Sequence, residues 1–289
     1  MIFLTTLFNG IAYGFLLFIM AVGLSVTMGM MRFVNLAHVS LCMLGGYVLI
    51  TAMGRFGLPF LWTLPVVFVA TALFSIVLER LVLRFFYGTD DLTQVLLTIG
   101  LVFMSVSTVA YFWGPEFKPV SVPDFLTGQQ PVLGLMLERY RLFLVAVGVV
   151  LTVAILFGVE RTRFGAMVRA CVDNRRAASG SGLNTSVVFA LTFAIGGGLA
   201  GLGGALSASL LGLDPNFPFR YLVYMLIVVS VGGMGTIVGT LMAALAIGIA
   251  DVASKYYVPA AGGSIIYIVT VGVMLWRPQG LLGRKVGHA

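Results

Sequence analysis

Long apolar segments constrain the fold of this chain more than any other feature of its sequence. They fall at 8–30, 37–53, 60–79, 92–113, 141–159, 185–211, 221–257 and 264–276. Segments of about 20 apolar residues cross membranes as helices, because only helices and closed barrels satisfy their backbone hydrogen bonds in lipid. Runs such as VVFVATALFSIVL lack the polar–apolar alternation of barrel strands. The sequence therefore predicts an all-α, polytopic membrane protein with one domain over residues 1–289.

The number of crossings depends on two unusual segments. The segment 221–257 is too long for one crossing and contains Gly232, Gly233 and Gly235, so we predict a short piece before VGGMGT and a helix after it. The segment 37–53 is short for a crossing, so it is either steeply placed or only partly inserted. We expect eight or nine crossings, with a glycine break near 232–236.

Charges in the loops predict how the chain lies in the membrane. The basic island at 160–182 and the tail with Arg277, Arg284 and Lys285 carry an excess of positive charge, whereas the loop 114–141 is balanced. Cytoplasmic loops are rich in Lys and Arg. We therefore place the island and the tail in the cytoplasm and the balanced loop outside. Alternation then places Arg32 and residues 79–91 inside.

The first apolar segment is predicted to be a retained helix. No basic residue precedes Arg32, and the apolar run is longer than the core of a secretory signal peptide. The GxxxG pairs at Gly10/Gly14, Gly197/Gly201 and Gly235/Gly239 are interpreted as packing positions between helices of the same chain.

Several classes of function lack their required residues. No GxxxxGK[ST] loop is present, so an ATPase that drove this chain would be a separate protein. His38 and His288 form no zinc motif, and Cys42 and Cys171 form no disulfide framework. The net charge of +7 reflects arginines between apolar runs and does not indicate nucleic acid.

An ion-coupled carrier needs ionisable groups inside the membrane, and these are scarce here. Asp251 is the main candidate, but Lys255 follows it by four residues. That spacing predicts a structural ion pair on one face of a helix. This pairing weakens the case for an ion-coupled carrier, which stays open as an alternative.

Two small constellations are candidates for contact with a transported molecule. Asn35 and His38 are three residues apart, which on a helix places them on one face. They could bind a substrate's ammonium or carboxylate, cap the helix or bond a neighbouring helix. The VGGMGT segment could line a substrate cavity, or it could be a tight turn between two crossings.

The stretch RTRFGAMVRACVDNRRAASGSGLN at 161–184, which contains most of the basic island, predicts a short helix from Phe164 to Ala178 that ends at Gly180 and Gly182. Asp173 would brace this helix by pairing with Arg169 and Arg176. A stripe of small residues would run along one face, formed by Ala166, Ala170, Asn174, Ala177 and Ala178. Such a face suits a close partner, and the alternative is a basic loop lying on lipid headgroups.

These segments resemble the membrane subunit of branched-chain amino acid ABC importers, and the LivH-type permease more than the LivM-type permease. The resemblance covers essentially the whole chain in order. The segments that carry it are RFVNLAHVSLCMLGGY, LERLVLRFFYGTDDLTQVLLTIGL, the basic island with the glycine-rich run after it, VVSVGGMGTIVGT and WRPQGLLGR.

The resemblance implies an importer of the bacterial inner membrane that takes up branched-chain or other hydrophobic amino acids by alternating access. Its partners would be a LivM-type permease, two cytoplasmic ABC ATPases that carry ATP and Mg, a periplasmic binding protein and membrane lipid. The chain itself would be no enzyme and hold no cofactor. The coupling residues would be Arg169, Ala170, Asp173, Asn174, Ala177, Ala178 and Gly182. The substrate pathway would include Asn35, His38, Cys42, Gly232, Gly233 and Gly235.

The sequence departs from its relatives at two places. Acids stand in RFFYGTDD where basic residues are usual, and Val39 stands where glycine is common. Because the family also includes importers of urea, short amides and aromatic carboxylates, the substrate class stays open. A scaffold protein that transports nothing is a further alternative.

Overall fold

The computed structural model describes residues 1–31, 33–120, 122–132 and 134–283. The predictions for Arg32, Arg284, Lys285 and His288 lie outside these described residues. Apart from short turns of 3₁₀-helix, the described chain is helical with one small hairpin. The hairpin is antiparallel, with β1 at Gln129–Val132 and β2 at Leu135–Glu138.

Within the described residues the chain forms eleven α-helices. They are α1 Ile2–Met31, α2 His38–Phe56, α3 Phe60–Leu81, α4 Asp91–Trp113, α5 Arg139–Arg161, α6 Arg163–Asp173, α7 Arg175–Gly180, α8 Thr185–Leu211, α9 Phe217–Gly232, α10 Ile237–Tyr257 and α11 Gly262–Trp276. Seven of these are long and apolar enough to cross a membrane, and α9 and α11 are shorter apolar helices. The predicted polytopic helical fold is confirmed.

These helix boundaries show how the two unusual segments, 221–257 and 37–53, are folded. The long segment does divide at its glycines, because α9 ends at Gly232 and α10 begins at Ile237. The segment predicted at 37–53 extends to 19 residues in α2, which makes it long enough to cross. The prediction ended this segment at residue 53, whereas the helix continues to Phe56.

Helix α8 is the centre of the bundle, and its small residues let three helices approach it. A Cβ at Gly204 would overlap the carbonyl oxygen of Cys42 on α2, and one at Gly201 would overlap the side chain of Thr71 on α3. On α1, the backbone at Gly23 lies against Gly196 of α8. The hydrophobic effect does not drive helices together in lipid, so helices there depend on van der Waals contact, which small residues increase by letting the backbones approach closely.

Helices α1 and α10 pack antiparallel through a second set of glycines. Cβ atoms at Gly10 and Gly14 would clash with the backbone at Ile249 and Leu245, respectively. The prediction that these GxxxG positions mediate packing within the chain is confirmed.

Replacing Gly204 with Ala is expected to separate α2 from α8 and to destabilise the protein by about 1–3 kcal/mol, the usual cost of overpacking. Gly100 on α4 is a matched helical control, because nothing lies within 4 Å of a Cβ built there. Gly100→Ala should leave the protein unchanged or stabilise it. Thermal unfolding in detergent measures both variants, and equal melting temperatures would contradict the close approach at Gly204.

The loops gather at two ends of the bundle. The basic end comprises residues 33–37, 82–90, 162–184, 233–236 and 277–283. Contacts join these loops: the Phe33 and Tyr87 ring centroids lie 5.5 Å apart, and Gly233 packs on Gly283.

Among the described residues, the hairpin end comprises 57–59, 114–120, 122–132, 134–138, 212–216 and 258–261. There, the Lys118 N–H donates to the Leu213 carbonyl at 2.7 Å. Loop charges predict that the basic end is cytoplasmic and that the hairpin end faces outward.

Candidate functional site

The basic island forms two helices, so the single helix predicted from Phe164 to Ala178 is wrong. Helix α6 starts where the Thr162 hydroxyl accepts the Gly165 N–H at 3.1 Å. Asn174 is extended, with φ −154° and ψ 97°, and its side-chain oxygen accepts the Ala177 N–H at 3.0 Å. Asn174 therefore ends α6 and caps α7, because its short amide offers the backbone an alternative to a continuous helix.

The predicted end of the island is confirmed, but the predicted ionic brace is not. Helix α7 ends at Gly180, and Gly182 adopts φ +86°. Among the described side chains, Asp173 makes no ion pair with Arg169 or Arg176 (the Arg175 side chain is not described). The break at Asn174 turns Arg176 out of helical register with Asp173. The Arg169 guanidinium instead donates to the Val159 carbonyl near the end of α5.

The residues of the predicted small-residue stripe do not share one face, because part of the stripe lies in or against a buried core and the rest is exposed. Ala178 is 5% exposed, and it packs in a small core with Val168, Cys171, Val188 and Phe189. Ala170 lies against the edge of that core. The rest of the stripe is exposed and forms, with nearby charges, what we call the island surface, which consists of Ala166, Arg169, Asp173, Asn174, Arg176 and Ala177.

Tyr87 connects the core beneath the island to the rest of the basic end. Its ring packs at the edge of that core, with its centroid 6.3 Å from that of Phe189 on α8. Its hydroxyl donates to the buried Glu79 carboxylate at 2.8 Å. On its other side lies Phe33, in the connection between α1 and α2. Packed side chains therefore connect the island to residues 33–37, and a displacement of the island can be transmitted along these contacts.

Asn35 and His38 lie at the end of that route, but not on one helical face as predicted. Helix α2 begins at His38, and Asn35 belongs to the preceding connection. Both residues are about 1% exposed. Their four side-chain polar atoms have no hydrogen-bond partner among the described residues. The capping alternative is wrong, because the helix has no side-chain cap.

Gln94 and Thr98 on α4 hold this connection in place, and sequence reasoning missed both. The Val34 N–H donates to the Gln94 side-chain oxygen at 3.0 Å, and the Thr98 hydroxyl donates to the Val34 carbonyl at 3.5 Å. The Gln94 amide also donates to the Thr89 carbonyl at 3.0 Å. The available signal was two polar residues spaced i,i+4 in the apolar run QVLLT, which share one helical face.

Replacing Gln94 with Leu is expected to destabilise the basic end. The apolar side chain leaves the part-buried Val34 N–H and Thr89 carbonyl without Gln94, at up to about 1–3 kcal/mol for each group left unsatisfied. Thr108→Val is the control, because the exposed Thr108 hydroxyl bonds only the Met104 carbonyl of its own helix. Thermal unfolding measures the effect, and a Gln94→Leu melting temperature equal to that of Thr108→Val would refute this positioning role.

The structure favours the tight-turn interpretation of the glycine segment. Gly233 and Gly235 have positive φ values of 93° and 81°. Protein packs on one side of the turn, because Gly235 packs on Gly29 and the Leu281 N–H donates to the Val231 carbonyl at 2.7 Å, while Met234 at its tip is exposed. Membership of Gly232, Gly233 and Gly235 in a substrate pathway stays a prediction, now placed at the basic end.

The remaining candidates from the sequence are Cys42 and the Asp251–Lys255 pair. Cys42 is fully buried, with its carbonyl against Gly204. Lys255 Nζ lies 2.7 Å from Asp251 Oδ2, so the predicted ion pair is confirmed. Within the described residues, no three His, Cys, Asp or Glu side chains lie together as metal ligands would.

Comparison with known proteins extends over nearly the whole chain. Residues 6–276 match the family described as branched-chain amino acid transport system / permease component. The high-affinity branched-chain amino acid transport system permease protein BraD of Pseudomonas aeruginosa is 25% identical over 98% of this chain and 96% of BraD. LivH of Escherichia coli strain K12, with the same description, is 26% identical over 98% of this chain and 96% of LivH. No solved structure matches the chain.

Proposed function

Because the chain belongs to the branched-chain amino acid transport permease family, we propose that it is a membrane subunit of an importer driven by separate ATPases. It is a multi-pass inner-membrane protein and a non-catalytic permease component. In the proposed assembly it pairs with a second permease, receives substrate from a periplasmic binding protein and docks on two cytoplasmic ATPases. The substrates are branched-chain or other hydrophobic amino acids.

The island surface is the observation that carries this proposal. It presents Arg169, Asp173, Asn174 and Ala177 outward at the end predicted to be cytoplasmic. A loop that only contacts lipid headgroups needs positive charge but no rigid base. Here, the buried core around Cys171 and Ala178 fixes both short helices against α8. A fixed surface with small and charged side chains suits a protein partner.

The contacts beneath the surface support a route for mechanical coupling. Helix α6 contacts α1, α5 and α8, and the core below it reaches Tyr87. From Tyr87 the packing continues to Phe33, two residues before Asn35. In the proposed mechanism, closure of the ATPase dimer moves the island, and this route passes the motion to the connection between α1 and α2.

The buried polar pair is the proposed point of contact with cargo near the basic end. A buried polar atom without a partner is costly, so native proteins seldom retain one without a use. Asn35 and His38 together hold four such atoms. We assign them to the inner part of the pathway, where a passing substrate supplies the missing donors and acceptors.

Site-specific crosslinking from the full chain tests the docking step. Cysteine placed at Ala177 is expected to crosslink to the co-purifying ATPase. Cysteine placed at the exposed Ala260, at the hairpin end, should not. Crosslinking to lipid but to no protein at position 177 would favour the headgroup interpretation instead.

A further inference from the structure

A cleft of about 610 Å³ opens at the hairpin end, away from the island and from Asn35 and His38. Its walls come from α1, α5, the end of α8, and α9, α10 and α11. Arg141 and Arg220 lie in the first turns of α5 and α9, respectively. Asp251 lies six residues before the end of α10, or about 9 Å along the helix. The cleft therefore descends from the surface into the predicted outer half of the membrane.

Asp251 supplies a buried, unsatisfied acceptor to this cleft. The residue is 2% exposed, and its Oδ2 atom pairs with Lys255 Nζ at 2.7 Å. Its Oδ1 atom has no hydrogen-bond partner among the described residues. A buried carboxylate oxygen of this kind is strongly stabilised by a charged donor. A primary ammonium group fits that requirement, and Tyr13 and Tyr224 line the same cleft.

The same cleft carries positive groups that can receive an anion. Arg220 and Lys255 are about half exposed, at 49% and 53% of their side chains. Each pairs with one carboxylate, Arg220 with Asp214 and Lys255 with Asp251, and guanidinium and ammonium groups retain further N–H donors. Apolar lining from Leu210 and Val223 is available for an aliphatic side chain.

We propose that this cleft binds a free α-amino acid, with its ammonium on Asp251 and its carboxylate toward Arg220. The assignment rests on the proposed import function and adds to it an outer receiving site, distinct from the inner polar pair. A phosphatidylethanolamine headgroup presents the same combination of ammonium and anion. The experiment must therefore separate these two sources.

Binding to the purified full chain tests the assignment, in nanodiscs of phosphatidylglycerol, which has no ammonium. The probes are L-leucine, 4-methylpentanoate without the ammonium, isopentylamine without the carboxylate, and phosphoethanolamine. Leucine is expected to bind at least about 10-fold more tightly than either singly charged probe, since each charged hydrogen bond contributes that much. Tighter binding of phosphoethanolamine than of leucine would overturn the amino acid assignment.

Two variants locate the binding in the cleft. Asp251→Asn should weaken leucine binding at least about 10-fold. Arg220→Gln, at a half-exposed position, should reduce leucine affinity to that of isopentylamine. Arg55→Gln is the control, an exposed arginine at the same end that does not line the cleft. Unchanged leucine affinity in Arg220→Gln overturns the proposal even where Asp251→Asn fails to fold.

Failure of this site and failure of the import function give different results. If the complete transporter imports leucine with ATP but the cleft variants bind leucine normally, the site is wrong and the function stands. If the unsubstituted complete transporter imports no leucine, the function is wrong, and leucine binding in the cleft then has no role in import.

Discussion

Replacing Ala177 with Trp is expected to uncouple ATP hydrolysis from uptake in the assembled transporter. Ala177 is exposed on the island surface, where it packs against no described core, so the change adds bulk to the partner side alone. Bulk at the centre of an interface disrupts close packing there, and we expect uptake to fall at least about 10-fold. Uptake and ATP hydrolysis are measured together in proteoliposomes.

Two comparisons make the Ala177 result specific. Ala260→Trp adds the same bulk at an exposed position of the hairpin end and should leave both rates unchanged. Ala170→Trp is less informative, because Ala170 lies against the buried core and a large side chain there would disturb the helix itself. Normal coupling of ATP hydrolysis to uptake in Ala177→Trp would contradict the proposal that the island surface docks on the ATPase.

Replacing His38 with Leu is expected to change stability and transport in opposite directions. The change removes two buried polar atoms that lack described partners, which should stabilise the fold by about 1–3 kcal/mol. Uptake should nevertheless fall at least about 10-fold, because the transported molecule loses its hydrogen bond to the His38 side chain in the proposed pathway.

Thermal unfolding and uptake by the complete transporter measure these two effects separately. His38→Gln keeps a polar side chain and should retain part of the uptake. A purely structural histidine would instead lose stability on replacement by Leu. A stable His38→Leu variant with full uptake would remove His38 from the pathway.

The crossings could be predicted from the sequence because lipid leaves few alternatives. A long apolar run must be helical, and the glycines of VGGMGT interrupt the one run that is too long for a single helix. The end of α2 was harder to predict, because ITAMGRF is only moderately apolar. The helix ends instead at Gly57, which adopts a left-handed conformation with φ +62° and donates its N–H to the Ala52 carbonyl.

The island shows where local sequence patterns fail. Spacing alone allows Asp173 to reach Arg169 and Arg176, but that inference assumes one continuous helix. Asn174 breaks the helix by bonding the Ala177 N–H with its own side chain. Asn is a residue that favours N-caps, but the sequence RRAA that follows it suits a helix interior equally well. In the structure, the capped helix α7 places Ala178 in the core beneath the island.

The polar network around Val34 could not be predicted, because it joins residues 60 or more positions apart. Asn35 and His38 were found by their polarity within an apolar region. Their burial without described partners and the support from Gln94 are properties of the folded chain. The functional interpretation thus depends on tertiary contacts more than on the motif itself.

Uptake by the complete transporter tests the central claim most directly. Proteoliposomes that contain this chain with its co-purifying subunits, with the periplasmic binding protein supplied outside, are loaded with ATP, or with an ion gradient and no ATP. They are then offered leucine, urea, a short amide or an aromatic carboxylate. The account predicts leucine uptake that requires ATP and is indifferent to the gradient. ATP-driven uptake of another probe in place of leucine would contradict the substrate class. Uptake by this chain alone, driven by the gradient without ATP, would contradict the claim that it is a permease subunit of an ATP-driven importer.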